Sequence, residues 1–393
     1  MVNVGRWSAV AQETIQHDLQ AMLRGAVRAG LEFFLEQELE DLIGAEWYAR
    51  VAGRRDHRNG RYGRQLLTSL GQVEVAVPRA RRQRAPRTVL TRYRRRTPEI
   101  DALLTSAYVH GVSTRQAGEL TTALLGERVS RATVSRVTQA LEATVAQLRG
   151  APIEGPHPYL YLDATFVDAR WARTVENVSA LVAYAVGPDG SRRLLAITLG
   201  AEESDASWSE LLEQVTQRGL SGVQLVIADD HQGLAAAVRR WLPEAKRQRC
   251  TVHLQRNVLT KVPRRLRARV AREVAELFRA GTLAEAKTRL ARFGSRWATQ
   301  LPEAVACLRQ GFSAATTYFA FPKAHWRRIR TTNGLERLHG EIKRRIRAVG
   351  AFPDRASALR LITAVAVKVT ALWGARRYLD LALLEPSTLA AAA

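Results

Sequence analysis

Cysteine is nearly absent from this 393-residue chain. Cys250 and Cys307 are the only two, which excludes a disulfide scaffold and an all-cysteine zinc site. No apolar run approaches the roughly 18 to 20 residues that span a bilayer. The N-terminal stretch, with its acids from Glu32 to Asp41, lacks the charge order and apolar centre of a signal peptide. Lysine is scarce too: six of the 60 basic residues are lysine and the rest arginine. A GC-rich genome explains arginine in place of lysine, but not 60 bases against 37 acids. The expectation is a soluble, cytoplasmic, nucleoid-associated protein whose net charge of +23 serves a polyanionic partner, nucleic acid first.

What is present is distributed in blocks. Residues 51–100 hold 14 bases and 3 acids, and residues 251–350 hold 22 and 6. Between them, residues 151–250 hold 10 bases and 13 acids. Two basic regions thus flank a slightly acidic centre. A metal site needs clustered carboxylates and substrate phosphates need basic flanks, so the centre is the place to look for chemistry.

Six segments follow from the pattern. Residues 1–50 read as helical, with Leu19, Leu23, Val27, Leu31 and Leu35 at near-helical spacing. Residues 51–97 read as a small β-containing or loop-rich basic module. There "QVEVAVP" (72–78) alternates like a strand and "RRQRAPR" (81–87) is a candidate tether. Residues 98–150 read as helical and suggest a helix-turn-helix, with a turn at Gly126 and a second helix capped near Ser130. The plain alternative is an αα-hairpin of a small bundle. After the Pro/Gly stretch 151–158 the chain turns to strands and helices in the order β-β-β-α-β-α-β-α over 151–257, which predicts a mixed sheet flanked by helices. Residues 258–325 read as a basic, all-helical stretch. Residues 326–393 hold the helix of "TTNGLERLHGEIKRRIRAVG" and one or two closing helices, and end in the low-complexity "LAAAA". No internal repeat is evident.

Three carboxylates stand out. Alternation in "YLYLDATFVDA" puts Asp163 on one face with Tyr161 and Thr165. A bare carboxylate in an apolar strand is costly unless paired, hydrogen-bonded or metal-bound; the alternative is a strand-edge acid in water. Asp229 closes the apolar run "VQLVIA", where open α/β sheets commonly place ligands. Its alternative is a helix cap, and Asp230 is its rival; Asp168 is less favoured. Glu336 lies three residues after Asn333, the spacing of a capping box, yet shares its helix with Lys343, Arg344, Arg345 and Arg347. Glu341 points elsewhere and is expected to pair with arginine. Acids on adjacent elements suit two Mg²⁺ (or Mn²⁺) ions in an in-line displacement at phosphorus. Cys250-x-x-His253 looks like half a zinc site with no other half, so His253 is read as a catalytic candidate that approaches the phosphate or orients a carboxylate. Arg54, Arg55, Arg58, Arg61, Arg64, Arg79, Arg81, Arg82, Arg131, Arg136, Lys343, Arg344 and Arg345 are the candidate DNA contacts.

At these residues the sequence resembles the Mutator-type transposases of bacterial insertion sequences, a branch of the DDE recombinases. The resemblance runs from about residue 30 to 382. It is carried by "RNGRYGRQLLTSLGQVEVAVPRAR", "GVSTRQ", "VSRATVSRV", "YLYLDATFV", "VIADDHQGL", "RCTVHLQRN" and "TTNGLERLHGEIKRRIRAVGAFP". It implies an α/β RNase H-like catalytic core with an all-helical insertion between Asp229 and Glu336, and an N-terminal, mainly helical DNA-binding region. It further implies Asp163, Asp229 and Glu336 as the metal-binding triad, and Cys250 with His253 as the family's CxxH signature. Double-stranded DNA would be the partner, as terminal inverted repeats and as target, with a homodimer or higher oligomer forming on it. His339 departs from the pattern, since many relatives carry Asn there. Two other functions remain open on the sequence alone: a structure-specific nuclease with the same triad, and a DNA-binding protein with an inactive core.

Overall fold

A computed structural model describes residues 9–83, 88–91, 93–171 and 174–384. By contacts the chain divides into two compact units, Met1–Gln139 and Ala140–Ala393. Part of the candidate tether and the terminal alanines lie outside the described residues.

The first unit begins with a long helix, α1 (Ala9–Ile43), followed by an antiparallel hairpin of β1 (Arg58–Thr68) and β2 (Gly71–Ala80). The alternation in β2 works as expected: Val73, Val75 and Val77 are buried and pack with Leu35, Leu66 and Leu90. The apolar stripe of α1 is covered only at its C-terminal end, since Leu19, Leu23 and Val27 are exposed while Leu35 and Leu39 are buried. Acids on α1 grip the basic hairpin. Glu36 and Glu40 both pair with Arg58 at 3.0 Å, and Glu32 accepts the Ala76 backbone N–H at 2.8 Å. Asp56 accepts three backbone N–H groups, those of His57, Arg82 and Gln83, and so fixes the exit of β2.

Three helices complete this unit: α2 (Pro98–Val109), α3 (Thr114–Leu125) and α4 (Arg131–Thr138). Their ends follow from local chemistry. Ser113 and Gln116 form a reciprocal capping box on α3, and Gly126 ends it in the left-handed conformation at φ 73°. Ser130 then caps α4 through the Thr133 backbone N–H.

The second unit opens with α5 (Glu142–Gly150), tied to a later helix by Arg360–Glu142 at 2.7 Å. Its sheet comprises β3 (Tyr159–Trp171), β4 (Thr174–Val186), β5 (Arg192–Gly200), β6 (Leu225–Ala228) and β7 (Lys246–Arg249), in the order β5-β4-β3-β6-β7. β4 runs antiparallel to its neighbours β3 and β5, while β6 runs parallel to β3 and β7 parallel to β6. The sheet is mixed, as the strand pattern predicts. Helices α6 (Asp205–Gln217) and α7 (Gln232–Trp241) cover one face, where Leu160, Leu162, Trp208, Leu211, Leu234 and Val238 form the core.

The remaining helices are α8 (Thr251–Thr260), α9 (Arg267–Leu277), α10 (Leu283–Trp297), α11 (Pro302–Ala315), the short α12 (Trp326–Ile329), α13 (Asn333–Ile346) and α14 (Arg355–Thr370). Residues 258–325 thus hold helix and no strand, as their composition suggests. α13 and α14 pack on β3, and α14 also packs on β5. Among the described residues no helix is long and apolar enough to cross a membrane.

Candidate active site

Sheet register brings the first two acids together. β3 and β6 pair in parallel as Tyr159↔Leu225, Leu160↔Val226 and Tyr161↔Ile227. Two residues further on, the same register sets Asp163 beside Asp229 at the carboxyl end of β6. Asp163 pairs with Val182 of β4 on one side and lies just past the last β6 pairing on the other, and it is no edge acid in water: its side chain is only 11% exposed. Asp229 and Asp230 separate clearly. Asp230 pairs with Arg249 at 2.8 Å, while Asp229 faces His253, 3.9 Å from its Nδ1. Asp168 lies farther along β3, where it accepts a hydrogen bond from Asn177.

Glu336 arrives on the first turns of α13. The capping-box alternative is not realised: Thr332 is the N-cap and makes no side-chain capping bond. Instead Glu336 Oε1 lies 3.3 Å from His253 Nε2 and 2.6 Å from Arg256 Nη1, and Arg256 Nη2 reaches the second oxygen at 3.3 Å. Glu341 pairs with Arg344 and Arg345 at 2.9 and 2.8 Å, as expected.

His253 is therefore the hub. Its pKa is raised to about 9, first by the adjoining Cys250 sulfur, against the opposing effect of burial, and further by Asp229 and Asp163. Burial alone pushes the Cys250 thiol up, but His253 and the Thr332 donor outweigh it and lower it. Cys250 also positions Glu336. The Thr332 backbone N–H and hydroxyl both donate to its sulfur at 3.4 Å, and the neighbouring Thr251 N–H donates to the Arg330 carbonyl at 3.0 Å. These bonds stitch the start of α13 to the β7–α8 corner. The Cys250–His253 pair thus touches both the histidine beside Asp229 and the start of the helix that carries Glu336.

Asp163 is raised to about 7, mainly by burial, with Glu336 and Asp229 adding to the rise and His253 opposing it. It accepts the Ala164 backbone N–H at 3.1 Å, and His339 Nδ1 lies 3.5 Å away. His339 is buried and held neutral, its pKa lowered to about 3 by burial and by Lys343 and His253. Among the described residues, Asp163 has no lysine or arginine partner.

As the side chains stand, no three His, Cys, Asp or Glu groups among the described residues are close enough to hold a metal ion. The donor chemistry nevertheless fits a hard divalent cation. Asp229 and Glu336 contact His253, Asp163 lies within electrostatic reach of all three, and burial pushes Asp163 toward its protonated form, a penalty that a bound cation would relieve.

The candidate DNA-contacting side chains divide into two groups. Arg58 and Arg61 pair with Glu36, and Arg55 and Arg64 donate to backbone carbonyls within their own unit. Arg54 is half-buried. Arg79 stacks on Tyr62, its guanidinium 4.4 Å from the ring centre. Arg344 and Arg345 share Glu341. Arg81, Arg82, Arg131, Arg136 and Lys343 are exposed, and Arg131 and Arg136 lie on α4. Sequence reasoning missed Arg256; its only sequence signal is its place one helical turn after His253.

The model of one protein family, described as "Transposase, Mutator family", matches residues 3–375. The transposase for insertion sequence element ISRM5 of Rhizobium meliloti is 35% identical over 360 residues, covering 91% of this chain and 90% of that protein. The transposase for IS406 of Burkholderia multivorans is 35% identical over 339 residues, with coverage of 86% and 87%. That for IS256 in transposon Tn4001 of Staphylococcus aureus is 32% identical over 351 residues, with coverage of 88% and 90%. On this extent of agreement the chain belongs to the Mutator family of transposases.

Proposed function

We propose that this protein is the transposase of an insertion sequence, with an RNase H-like core that cleaves and joins DNA through Asp163, Asp229 and Glu336. The observation that carries the reading is that Asp229 and Glu336, from a strand end and a distant helix, meet at His253, while Asp163 on the neighbouring strand lies within electrostatic reach of all three. Bound Mg²⁺ or Mn²⁺ would activate the attacking oxygen and stabilise the leaving one. The chain's own residues hold the three acids in place. β3 and β6 fix two of them by register; Cys250 and Thr332 fix the third. His253, charged at neutral pH, keeps a proton between Asp229 and Glu336 and stands ready to orient either carboxylate or to meet a phosphate oxygen. No side-chain nucleophile is required, since water or a DNA 3′-hydroxyl attacks. The exposed Arg81, Arg82, Arg131 and Arg136 suit the grip on terminal inverted repeats, and Lys343 suits a phosphate near the acids. Two element ends are held by a homodimer or higher oligomer on DNA.

The test uses DNA that carries the element's ends, with Mg²⁺. Asp163→Asn should abolish cleavage and strand transfer while DNA affinity stays within about twofold of that of the metal-free wild type, because binding rests on phosphate contacts elsewhere. Cutting by the variant would refute the triad. Cutting by the wild type without any end joining would make the protein a nuclease instead.

A further inference from the structure

Glu336 has both oxygens engaged. Arg256 Nη1 and His253 Nε2 approach Oε1, and Arg256 Nη2 approaches Oε2. A carboxylate clasped by a guanidinium fork keeps spare lone pairs, but its charge is offset and its oxygens are aimed at the fork, which disfavours a cation on the same group until the fork leaves. Consistent with this, the acids as they stand are not gathered closely enough to hold a cation, among the described residues. Arg256 is the partner able to leave. Its side chain is 58% exposed, against 25% for Glu336 and 18% for His253. His253 is fixed from behind by the Cys250 corner, whereas Arg256 sits one turn further along α8 and faces outward. A planar, permanently charged fork fits a phosphate as well as a carboxylate.

We propose that Arg256 is a positioning residue that clasps Glu336 in the free protein and exchanges it for a DNA backbone phosphate, releasing Glu336 toward Asp163 and Asp229. This rests on the reading of those three acids as the metal-binding set. The exchange makes DNA and divalent cation each favour the binding of the other, as any such coupling must be reciprocal. A protein far from DNA would then hold its acids apart, and the arriving phosphate would assemble them.

The experiment measures Mn²⁺ affinity by electron paramagnetic resonance on the full chain, with and without a short DNA duplex. Removing an exposed ion pair of this kind should tighten Mn²⁺ binding by Arg256→Ala roughly three- to fivefold in the absence of DNA. The duplex should tighten wild-type binding by a similar factor and leave Arg256→Ala unchanged. Arg256→Lys, which keeps the charge but loses the fork, should fall between. Hydrogen exchange over α8 and α13 confirms that the variants fold. Equal Mn²⁺ affinity in wild type and Arg256→Ala, or equal enhancement of both by DNA, overturns the exchange. Asp163→Asn separates the two proposals. If it abolishes the same Mn²⁺ site while Arg256→Ala changes nothing, the acids stand and the exchange fails. If it binds Mn²⁺ as the wild type does, the metal-binding reading fails first, and the exchange with it.

Discussion

Replacing Asp163 by asparagine should stabilise the metal-free protein while it destroys activity. The reason is the carboxylate's burial in the β3 face, which raises its pKa from 3.8 to about 7. In the unfolded chain Asp163 loses its proton near the lower value; in the folded one it keeps it to the higher. Between these two pH values the native state binds the extra proton, so its stability falls as pH rises through the window and levels off above it. A tenfold difference in proton affinity between the two states is worth about 1.4 kcal/mol. The burden on the native state is therefore roughly 2 kcal/mol near pH 5 and roughly 4 kcal/mol near pH 8.5. Asparagine has the same shape, still accepts the Ala164 N–H, and carries none of this charge-dependent burden. Hydrogen exchange of β3 and β4 peptides reports the second unit alone, which matters because a chain of two units need not unfold in one step. The advantage of Asp163→Asn should grow by roughly 2 to 3 kcal/mol from pH 5 to pH 8.5, and should shrink on adding Mn²⁺, which stabilises whichever native state binds it. A variant less stable than the wild type at high pH, or an advantage that ignores pH, would refute the electrostatic account of this site.

Two further outcomes follow from the packing behind the acids. Gly334 lies on the first turn of α13, and a β-carbon there would come within 2.6 Å of the hydroxyl of Tyr184, which is fully buried and stacked on Tyr161. Gly334→Ala should lower stability by roughly 1 to 3 kcal/mol, as overpacked sites do, and reduce cleavage further by displacing Glu336; unchanged melting and turnover would show that the turn yields freely. His325 is buried between the Tyr159 hydroxyl at 2.7 Å and the Asp380 carbonyl at 2.8 Å, and burial lowers its pKa below 6.5. As pH falls below that value the unfolded chain takes up the proton first, so stability is lost on acidification. His325→Gln should make the acid-side fall in melting temperature shallower, and an identical pH profile would count against it.

Some of this arrangement is legible in the sequence because it is local. Alternation along 159–167 assigns Asp163 to one face of a strand, and the apolar run ending at Ala228 delivers Asp229 to a strand end. The cap at Ser130 and the turn at Gly126 are equally local. The α1 stripe is less informative, because spacing shows which residues share a helix face but not how much of it is covered. Glu336 shows the same limit more sharply. Its spacing from Asn333 matches a capping box, and only the tertiary donors His253 and Arg256 decide otherwise.

The Cys250–His253 pair shows why the rest is hidden. By ligand spacing it is an incomplete zinc site, and nothing nearby in the sequence says that Thr332 completes it. Cys250 has two tasks that a single sulfur can combine: it supports the charge on His253, and it accepts both donors of Thr332 at the start of the helix that carries Glu336. A serine there could accept the same bonds from closer range, but an uncharged hydroxyl would support the imidazolium less, and the shorter bonds would draw α13 inward. The residue is thus constrained by two elements that meet only after the sheet, the helices between β7 and α13, and α13 itself have all packed. Local pattern finds the acids. Which of them come together is set by that later packing, where a half-zinc spacing joins the segment beside Asp229 to the helix that carries Glu336.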